Sequence, residues 1–355
     1  MTVPVILTFS DGEKLDVQIS MPRKAYWPGQ LEKEIMKVKV YIDGSEGTTG
    51  LRINERFASR DDIELLHISS ELRKDPEERR KFINASDITF LCLPDAASVE
   101  AVSLVNPDND HTVIIDASTA HRTEPGWAYG LPELGEDFRE KIRTGMRIAV
   151  PGCYASGFLM DVYPMIAMGL IADDYPVCVN ALSGYSGAGK KAIALYEGEG
   201  KTPDLFAPRM YALSQKHKHL KEMKAVSGLK RSPLFVPVVD DYYSGMIVTF
   251  PVYTDLMKKK ATPEEVRDGF CKFFEGEDFI HVMPYGAEEE LSSFFPANIM
   301  SGRDDVLIYV TGNEERILVS SIFDNLGKGA SGAAIQCMNI RLGLPQETGL
   351  KLEKM

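Results

Sequence analysis

The chain has 355 residues, 40 of them basic and 52 acidic, for a formal charge of −12. That excess of negative charge excludes a general nucleic-acid coat and a binder of anionic membranes, since both need a positive field. Its 44% apolar and 26% charged residues describe an ordinary folded protein, long enough at ~150 residues per domain for about two domains and a small extra piece.

The first 36 residues read differently from the rest. Val3, Val5, Leu7 and Phe9 alternate with other residues, Ser10-Asp11-Gly12-Glu13 is a turn signal, and Leu15, Val17 and Ile19 alternate again. That pattern predicts a β-hairpin. Pro22, Pro28 and Gly29 then break the chain, so residues 1–36 form an N-terminal extension. Polar and charged residues over 8–16 stand where the apolar part of a signal peptide would lie. A soluble cytoplasmic protein is expected, because apolar runs such as 88–93 are far shorter than the ~20 residues of a membrane span.

From Lys37 strands and helices alternate. Residues 38–42 predict a strand, 43–50 a glycine-rich turn, 51–57 a helix and 63–68 a second strand. A charged helical stretch runs through Arg80, followed by a strand at 87–93, a helix at 96–105 and a strand at 112–116. This order predicts an α/β fold with a doubly wound parallel sheet. A long helix runs from Cys153 to Met168. Beyond it the pattern is richer in strands, at 177–182, 246–253, 306–311 and 316–322. Thr262 caps a helix that has Pro263 in its first turn. Residues 325–332 read as a glycine-rich turn, followed by an amphipathic helix through Leu342. There is no internal repeat and no low-complexity tract.

Four motifs carry chemistry. Gly44, Gly47 and Gly50 lie between a strand and a helix, where glycine lets the backbone approach a pyrophosphate at the helix N-terminus. Their spacing departs from the usual Gly-x-Gly-x-x-Gly, so the motif alone is weak. After the second strand come Ser69, Ser70, Arg73 and Lys74, hydroxyls and bases that suit a ribose 2′-phosphate and favour NADP over NAD, with Glu71 pulling the other way. Next, Pro151-Gly152-Cys153 opens the long apolar helix, and a helix N-terminus lowers a thiol pKa. Cys153 is the candidate nucleophile. The other four of the five cysteines, Cys92, Cys178, Cys271 and Cys337, sit in apolar runs and read as packing residues. No Cys-x-x-Cys spacing suggests a disulfide framework or zinc site. Then Lys216-His217-Lys218-His219-Leu220-Lys221-Glu222 gathers positive charge and two histidines, the natural acid/base at neutral pH. No carboxylate-histidine set completes a metal site there. Finally, Asp116-Ala117-Ser118-Thr119-Ala120-His121-Arg122 follows the fourth strand, where ligands bind in such sheets. Arg122 offers a bidentate fork to a phosphate or carboxylate.

Together these segments resemble the N-acetyl-γ-glutamyl-phosphate reductase family in its shorter form. The resemblance also draws on Leu91-Cys92-Leu93-Pro94-Asp95, Tyr129-Gly130-Leu131-Pro132-Glu133-Leu134, Ser183-Gly184-Tyr185-Ser186-Gly187-Ala188-Gly189-Lys190, and Asn325-Leu326-Gly327-Lys328-Gly329-Ala330-Ser331-Gly332. It covers about residues 37–345 in the family's order. The N-terminal hairpin is no part of that pattern, and Lys221 stands where the family often has proline. Aspartate-semialdehyde dehydrogenases share the cysteine and the Ser-Gly-Ala-Gly loop. The His-Lys-His run and Ser-Thr-Ala-His-Arg favour the acetylglutamyl enzyme.

The resemblance implies a Rossmann domain at 37–153, completed by 325–355, and an α+β domain at 154–324 of the glyceraldehyde-3-phosphate dehydrogenase type. The second domain would carry catalysis and assembly into a homodimer or homotetramer. The implied reaction is NADP(H)-dependent reduction of an anionic acyl phosphate to a semialdehyde through a cysteine thioester, releasing inorganic phosphate. Cys153 would be the nucleophile and His219, with His217, the acid/base. Arg122, Ser118, Glu222 and Lys190 would hold substrate. The cofactor would be held by Gly44, Glu46, Gly47, Thr48, Thr49, Gly50, Ser69, Ser70, Arg73, Pro94, Ser186, Gly187, Asn325 and Gly329. Aspartate-semialdehyde dehydrogenase, a carrier-linked aminoadipate semialdehyde reductase and a non-catalytic NADP-binding sensor are the competing readings.

Overall fold

The alternating N-terminal segment forms an antiparallel hairpin of β1 (Thr2–Thr8) and β2 (Lys14–Ser20), with Thr2 opposite Ser20 and Thr8 opposite Lys14. The computed structural model describes residues 2–8, 14–20 and 37–353. The expected turn at Ser10–Glu13 and the break at Pro22, Pro28 and Gly29 lie outside the described residues. The chain divides into two units, Met1–Met36 and Lys37–Met355.

The second unit begins with alternating strands and helices. In order they are β3 (Val38–Asp43), α1 (Thr48–Phe57), β4 (Ile63–Leu66), α2 (Pro76–Ala85), β5 (Ile88–Leu91), α3 (Asp95–Ser103) and β6 (Val113–Asp116). β7 (Ala128–Tyr129), α4 (Glu136–Thr144) and β8 (Arg147–Ala149) follow. The strands make one parallel sheet in the order β4-β3-β5-β6-β8-β7. Strand β4 stops at Leu66 rather than Ile68, its last residue paired with Tyr41 of β3. Strands β7 and β8 are too short to leave an alternating pattern, and sequence reading missed both. Parallel strands covered on both faces need apolar residues throughout, and β5 and β6 are buried along their whole length.

The second sheet is mixed. Its elements are α5 (Cys153–Ala167), β9 (Cys178–Gly184), α6 (Lys190–Glu197), β10 (Arg209–Met210), α7 (Leu220–Ser227), β11 (Leu234–Asp240) and β12 (Met246–Tyr253). They continue with α8 (Pro263–Phe273), β13 (Ile280–Val282), β14 (Val306–Gly312) and β15 (Arg316–Phe323). The strand order is β10-β11-β9-β12-β15-β14-β13. Helix α5 lies against this sheet, its Phe158, Leu159 and Val162 packed with Val179, Val248 and Phe323. Gly157 permits the approach, since a Cβ there would press on Val248 and Phe323.

Helix α8 carries its own start signal. Thr262 Oγ1 accepts from the Glu265 N–H at 3.2 Å, and Glu265 Oε2 accepts from the Thr262 N–H at 2.8 Å. Thr262→Ala removes one half of this capping box and is expected to cost about 1 kcal/mol. Urea unfolding monitored by circular dichroism checks it, and an unchanged midpoint would mean the cap is redundant.

Residues 325–332, expected as a glycine-rich turn, are helical over most of their length. Gly327–Ser331 coils as one π-helical turn that runs directly into α9 (Gly332–Leu342). Its glycines serve close packing: a Cβ at Gly327 would collide with the Arg303 carbonyl, and one at Gly329 would come within 2.9 Å of Cys153 Cβ. Lys328 is fully buried inside this turn. Its ammonium donates to Glu133 at 2.6 Å and to Gln336, and lies 5.0 Å over the Phe279 ring. Helix α9 then packs Ala333, Ala334, Ile335 and Met338 into the core of the parallel sheet, beside Val40, Phe90, Ile115 and Ile148. The chain thus returns to its first sheet after completing the second.

Candidate active site

The N-terminus of α5 sits where the two sheets meet. Gly152 is its N-cap, and Cys153 is its first residue. A cavity of about 510 Å³ opens over it, lined by Gly47, Thr48 and Thr49 at one end and by Ser186, Gly187, His217, His219, Asn325 and Gly329 elsewhere.

His219 packs on the backbone before the cysteine. A Cβ on Gly152 would collide with His219 Nε2 and Cε1, and with Arg122 Nη1 at 2.6 Å. Only glycine lets the imidazole and the guanidinium come this close. His217 stands behind: its Nδ1 accepts the His219 N–H at 3.2 Å, and the two rings meet edge to face at 4.7 Å. Tyr154 and Phe235 support His217 from two sides.

Arg122 is held on every nitrogen. Nε donates to the Val150 carbonyl at 2.8 Å, Nη2 to the Ala117 carbonyl at 3.1 Å and Nη1 to Glu222 Oε1 at 2.6 Å. Glu222 Oε2 in turn accepts from the Tyr129 hydroxyl at 2.7 Å and the Gly152 N–H at 3.2 Å. Glu222 is 2% exposed, and its hydrogen bonds go to Arg122, Tyr129 and Gly152. It fixes Arg122 and the backbone of Gly152. A buried, fully bonded charge pair of this kind is costly to break from one side, about 3–5 kcal/mol. A lone tyrosine in the Tyr129–Leu134 segment carries no sequence signal for this role.

The electrostatics correct one expectation. The helix N-terminus was expected to leave a ready thiolate. Burial instead pushes the Cys153 thiol up to about 11. The backbone N–H of Tyr154 and the charges of Arg122 and Lys218 pull it down, while Glu222 pushes it up. Taking a thiolate out of water outweighs the favourable dipoles. Both histidines shift the other way. Burial, then Lys218 and Arg122, lowers His217 to about 4. Burial, then Arg122, His217 and Lys218, holds His219 well below the usual histidine range. At neutral pH the free site therefore holds a neutral thiol beside a neutral imidazole.

Other expected residues fall in different places. Ser118 is buried, and its hydroxyl is committed to Asp116 at 2.7 Å. Lys190 is exposed at the start of α6, and neither residue lines the cavity. Lys218 lines it, whereas Lys216, Lys221 and Lys224 border a second groove that also touches His217. Arg73 pairs with Glu46 on the surface, while Ser69 and Ser70 are exposed after β4. Pro94 is the N-cap of α3. Asn325 is tied at both ends, its Oδ1 accepting the Gly245 N–H at 2.8 Å and its Nδ2 donating to Ser186 Oγ at 3.0 Å. Sequence reading missed Tyr154, Arg209 and Tyr211 in the cavity wall. Ala212 and Gln215, both at positive φ, bend the loop that carries Tyr211. Such strain gathers at functional sites. Among the described residues, no group of three His, Cys, Asp or Glu side chains is arranged to hold a metal ion. No described helix is long and apolar enough to cross a membrane.

Residues 39–144 match the NAD-binding domain of semialdehyde dehydrogenases, and residues 153–325 match their dimerisation domain. An N-acetyl-γ-glutamyl-phosphate reductase of Nostoc sp. is 45% identical over 324 residues, which is 88% of this chain and 99% of that one. One from Brucella ovis is 42% identical over 312 residues, 87% of this chain and 100% of its own. The chain belongs to the N-acetyl-γ-glutamyl-phosphate reductase family. Among solved structures, aspartate semialdehyde dehydrogenase II from Vibrio cholerae superposes with a TM-score of 0.64 at 16% identity, over 86% of this chain and 98% of that one. The enzyme from Francisella tularensis gives 0.64 at 15%. Both likenesses concern the fold.

The reductase family's NADP(H) is compatible with the residues present. Helix α1 has glycine at its N-cap, no side chain capping it and no acid in its first turn. Its free N–H groups form an anion site. Gly44 turns the chain there at φ +86°, and a Cβ would collide with the Cys92 carbonyl. From this helix end the cavity runs without a break to Cys153.

Proposed function

We propose that this chain reduces N-acetyl-L-glutamyl 5-phosphate to N-acetyl-L-glutamate 5-semialdehyde, with release of phosphate, as a cytoplasmic enzyme of arginine synthesis that works as a homodimer or homotetramer. The observation that carries this reading is a cysteine at a helix N-terminus, beside a neutral histidine and a fixed arginine, in one cavity with an uncapped helix end suited to a pyrophosphate.

Cys153 Sγ attacks the acyl carbon as its proton passes to His219. The C–S bond forms, the bond from the acyl carbon to the phosphate oxygen breaks, and phosphate leaves. Arg122 and Lys218 are the cavity cations felt at Cys153, so they face the charge that gathers on the departing phosphate. Bound NADPH supplies the hydride that the thioester carbon accepts. As the tetrahedral oxyanion collapses to the aldehyde, the C–S bond breaks, and His219 returns the proton. Glu222 keeps Arg122 and Gly152 in place throughout.

The test follows the reverse reaction: NADP reduction in the presence of phosphate, with N-acetylglutamate semialdehyde, aspartate semialdehyde and glyceraldehyde 3-phosphate side by side. N-acetylglutamate semialdehyde is expected to lead in kcat/KM by at least about 100-fold, the scale on which a polar site discriminates. Equal or better use of aspartate semialdehyde would overturn the assignment.

A further inference from the structure

Three cations line the cavity among the described residues: Arg122, Lys218 and Arg209. The first two depress or stabilise charge at Cys153, His217 and His219. Arg209 lies on β10, the edge strand of the mixed sheet, whereas Cys153 opens α5. A substrate with one anionic group would need only the first pair.

Arg209 is also unusually held. Strand β10 lies at the edge of the mixed sheet, with Arg209 opposite Val239 of β11. Arg209 Nη2 donates to the Tyr196 hydroxyl at 2.9 Å, and Nη1 to Asp204 Oδ2 at 3.1 Å. The guanidinium lies 5.3 Å from the Tyr196 ring centre. Tyr196 is itself stacked on Tyr185 at 4.6 Å, and Tyr185 opens the short turn whose Ser186 and Gly187 line the cavity. The arginine is thus linked through Tyr196 to a turn that lines the same cavity. Its Nε is buried and has no hydrogen-bond partner. A buried donor left unpaired costs about 1–3 kcal/mol, a cost removed when an acceptor arrives. Nε and Nη2 share the side-on edge of a guanidinium, the edge that takes a carboxylate with two parallel hydrogen bonds.

We propose that Arg209 binds the α-carboxylate of the substrate through its Nε/Nη2 edge and so selects acylated amino-acid phosphates over simple acyl phosphates. The assignment rests on the functional reading above. That substrate carries its second anion a short aliphatic chain away from the acyl carbon, which matches a third cation in the wall of the same cavity. Asp204 does not compete for this edge, since it is bonded at Nη1 and is largely exposed.

The experiment compares N-acetylglutamate semialdehyde with 4-acetamidobutanal, the same aldehyde without its carboxylate, in phosphate-dependent NADP reduction. Arg209→Gln is expected to raise KM for the carboxylated aldehyde about 10–100-fold. It should leave KM for 4-acetamidobutanal, NADP and phosphate within about twofold, so that the variant no longer distinguishes the two aldehydes. Arg209→Lys should recover part of the lost affinity, because it keeps the charge without the fork. Equal losses on both aldehydes would overturn the proposal in favour of a purely structural arginine. A rise in KM for NADP or phosphate alone would overturn it in favour of those ligands. A wild-type chain inactive on N-acetylglutamate semialdehyde would instead overturn the functional reading, and this assignment with it.

Discussion

Cys153→Ala is expected to lose phosphate-dependent semialdehyde oxidation by at least about 10⁴-fold while retaining NADPH binding. Removing a nucleophile that forms the covalent intermediate deletes the reaction path itself, and such losses reach about 10⁶ in hydrolases that use the same logic. Cofactor affinity should survive, because the residues around the α1 N-terminus do not depend on the sulfur for their position. NADPH fluorescence titration and the coupled assay measure the two quantities separately. Retention of more than about a tenth of the activity would remove the thioester from the scheme. The wild-type thiol adds a second readout. Its pKa is pushed up to about 11 by burial, so iodoacetamide labelling of the free enzyme should be slow at pH 7 and should accelerate as pH rises toward that value. Slow labelling at neutral pH therefore does not separate an enzyme from a non-catalytic sensor. The alanine variant does.

The contrast between what the sequence disclosed and what it hid has a physical basis. Local patterns were legible. A strand-rich run located β12, alternation located the hairpin, glycine and cysteine marked the entrance to α5, and Thr262-Pro263 marked α8. Each depends on near neighbours in the chain. Glu222 was visible as a residue near the histidines, but its partners Arg122, Tyr129 and Gly152 lie far from it in sequence. No spacing rule reaches that far. The lysines show the opposite error. Lys216, Lys218, Lys221 and Lys224 are close in sequence, yet the start of α7 at Leu220 turns them to different faces, and only Lys218 enters the cavity. Charge density in the chain was a poor guide to charge density in the site. The 325–332 segment misled for a third reason. Glycines that signal a turn in isolation here relieve collisions with Arg303 and Cys153, which only the folded chain brings near.

His219→Asn is expected to lower turnover by about 10²–10⁴-fold, the usual loss when a positioned acid/base is removed. Asparagine keeps a polar side chain of similar reach but cannot take the thiol proton. The identity of the base rests on place. His219 Nε2 crowds Gly152 directly before the nucleophile, whereas His217 packs against Tyr154, Tyr211 and Phe235 and holds the His219 backbone. His217→Asn should accordingly cost less than about tenfold. If the larger loss follows His217→Asn instead, the two roles are reversed. The pH profile supplies the sign. His219 is held below the usual histidine range by burial and by neighbouring cations, so it stays neutral and able to accept a proton at pH 7. Acidification protonates it and removes the base, and this acid limb should lie below the ordinary histidine pKa. The phosphate of an entering substrate offsets the cations that depress the imidazole, which raises its basicity when the thiol must be deprotonated. Without His219 the thiol depends on hydroxide alone. The variant's kcat/KM should then climb with pH toward about 11, the range of the Cys153 thiol, and its deficit against wild type should shrink. A deficit that is constant from neutral to alkaline pH would show that His219 binds or shapes the site and moves no proton.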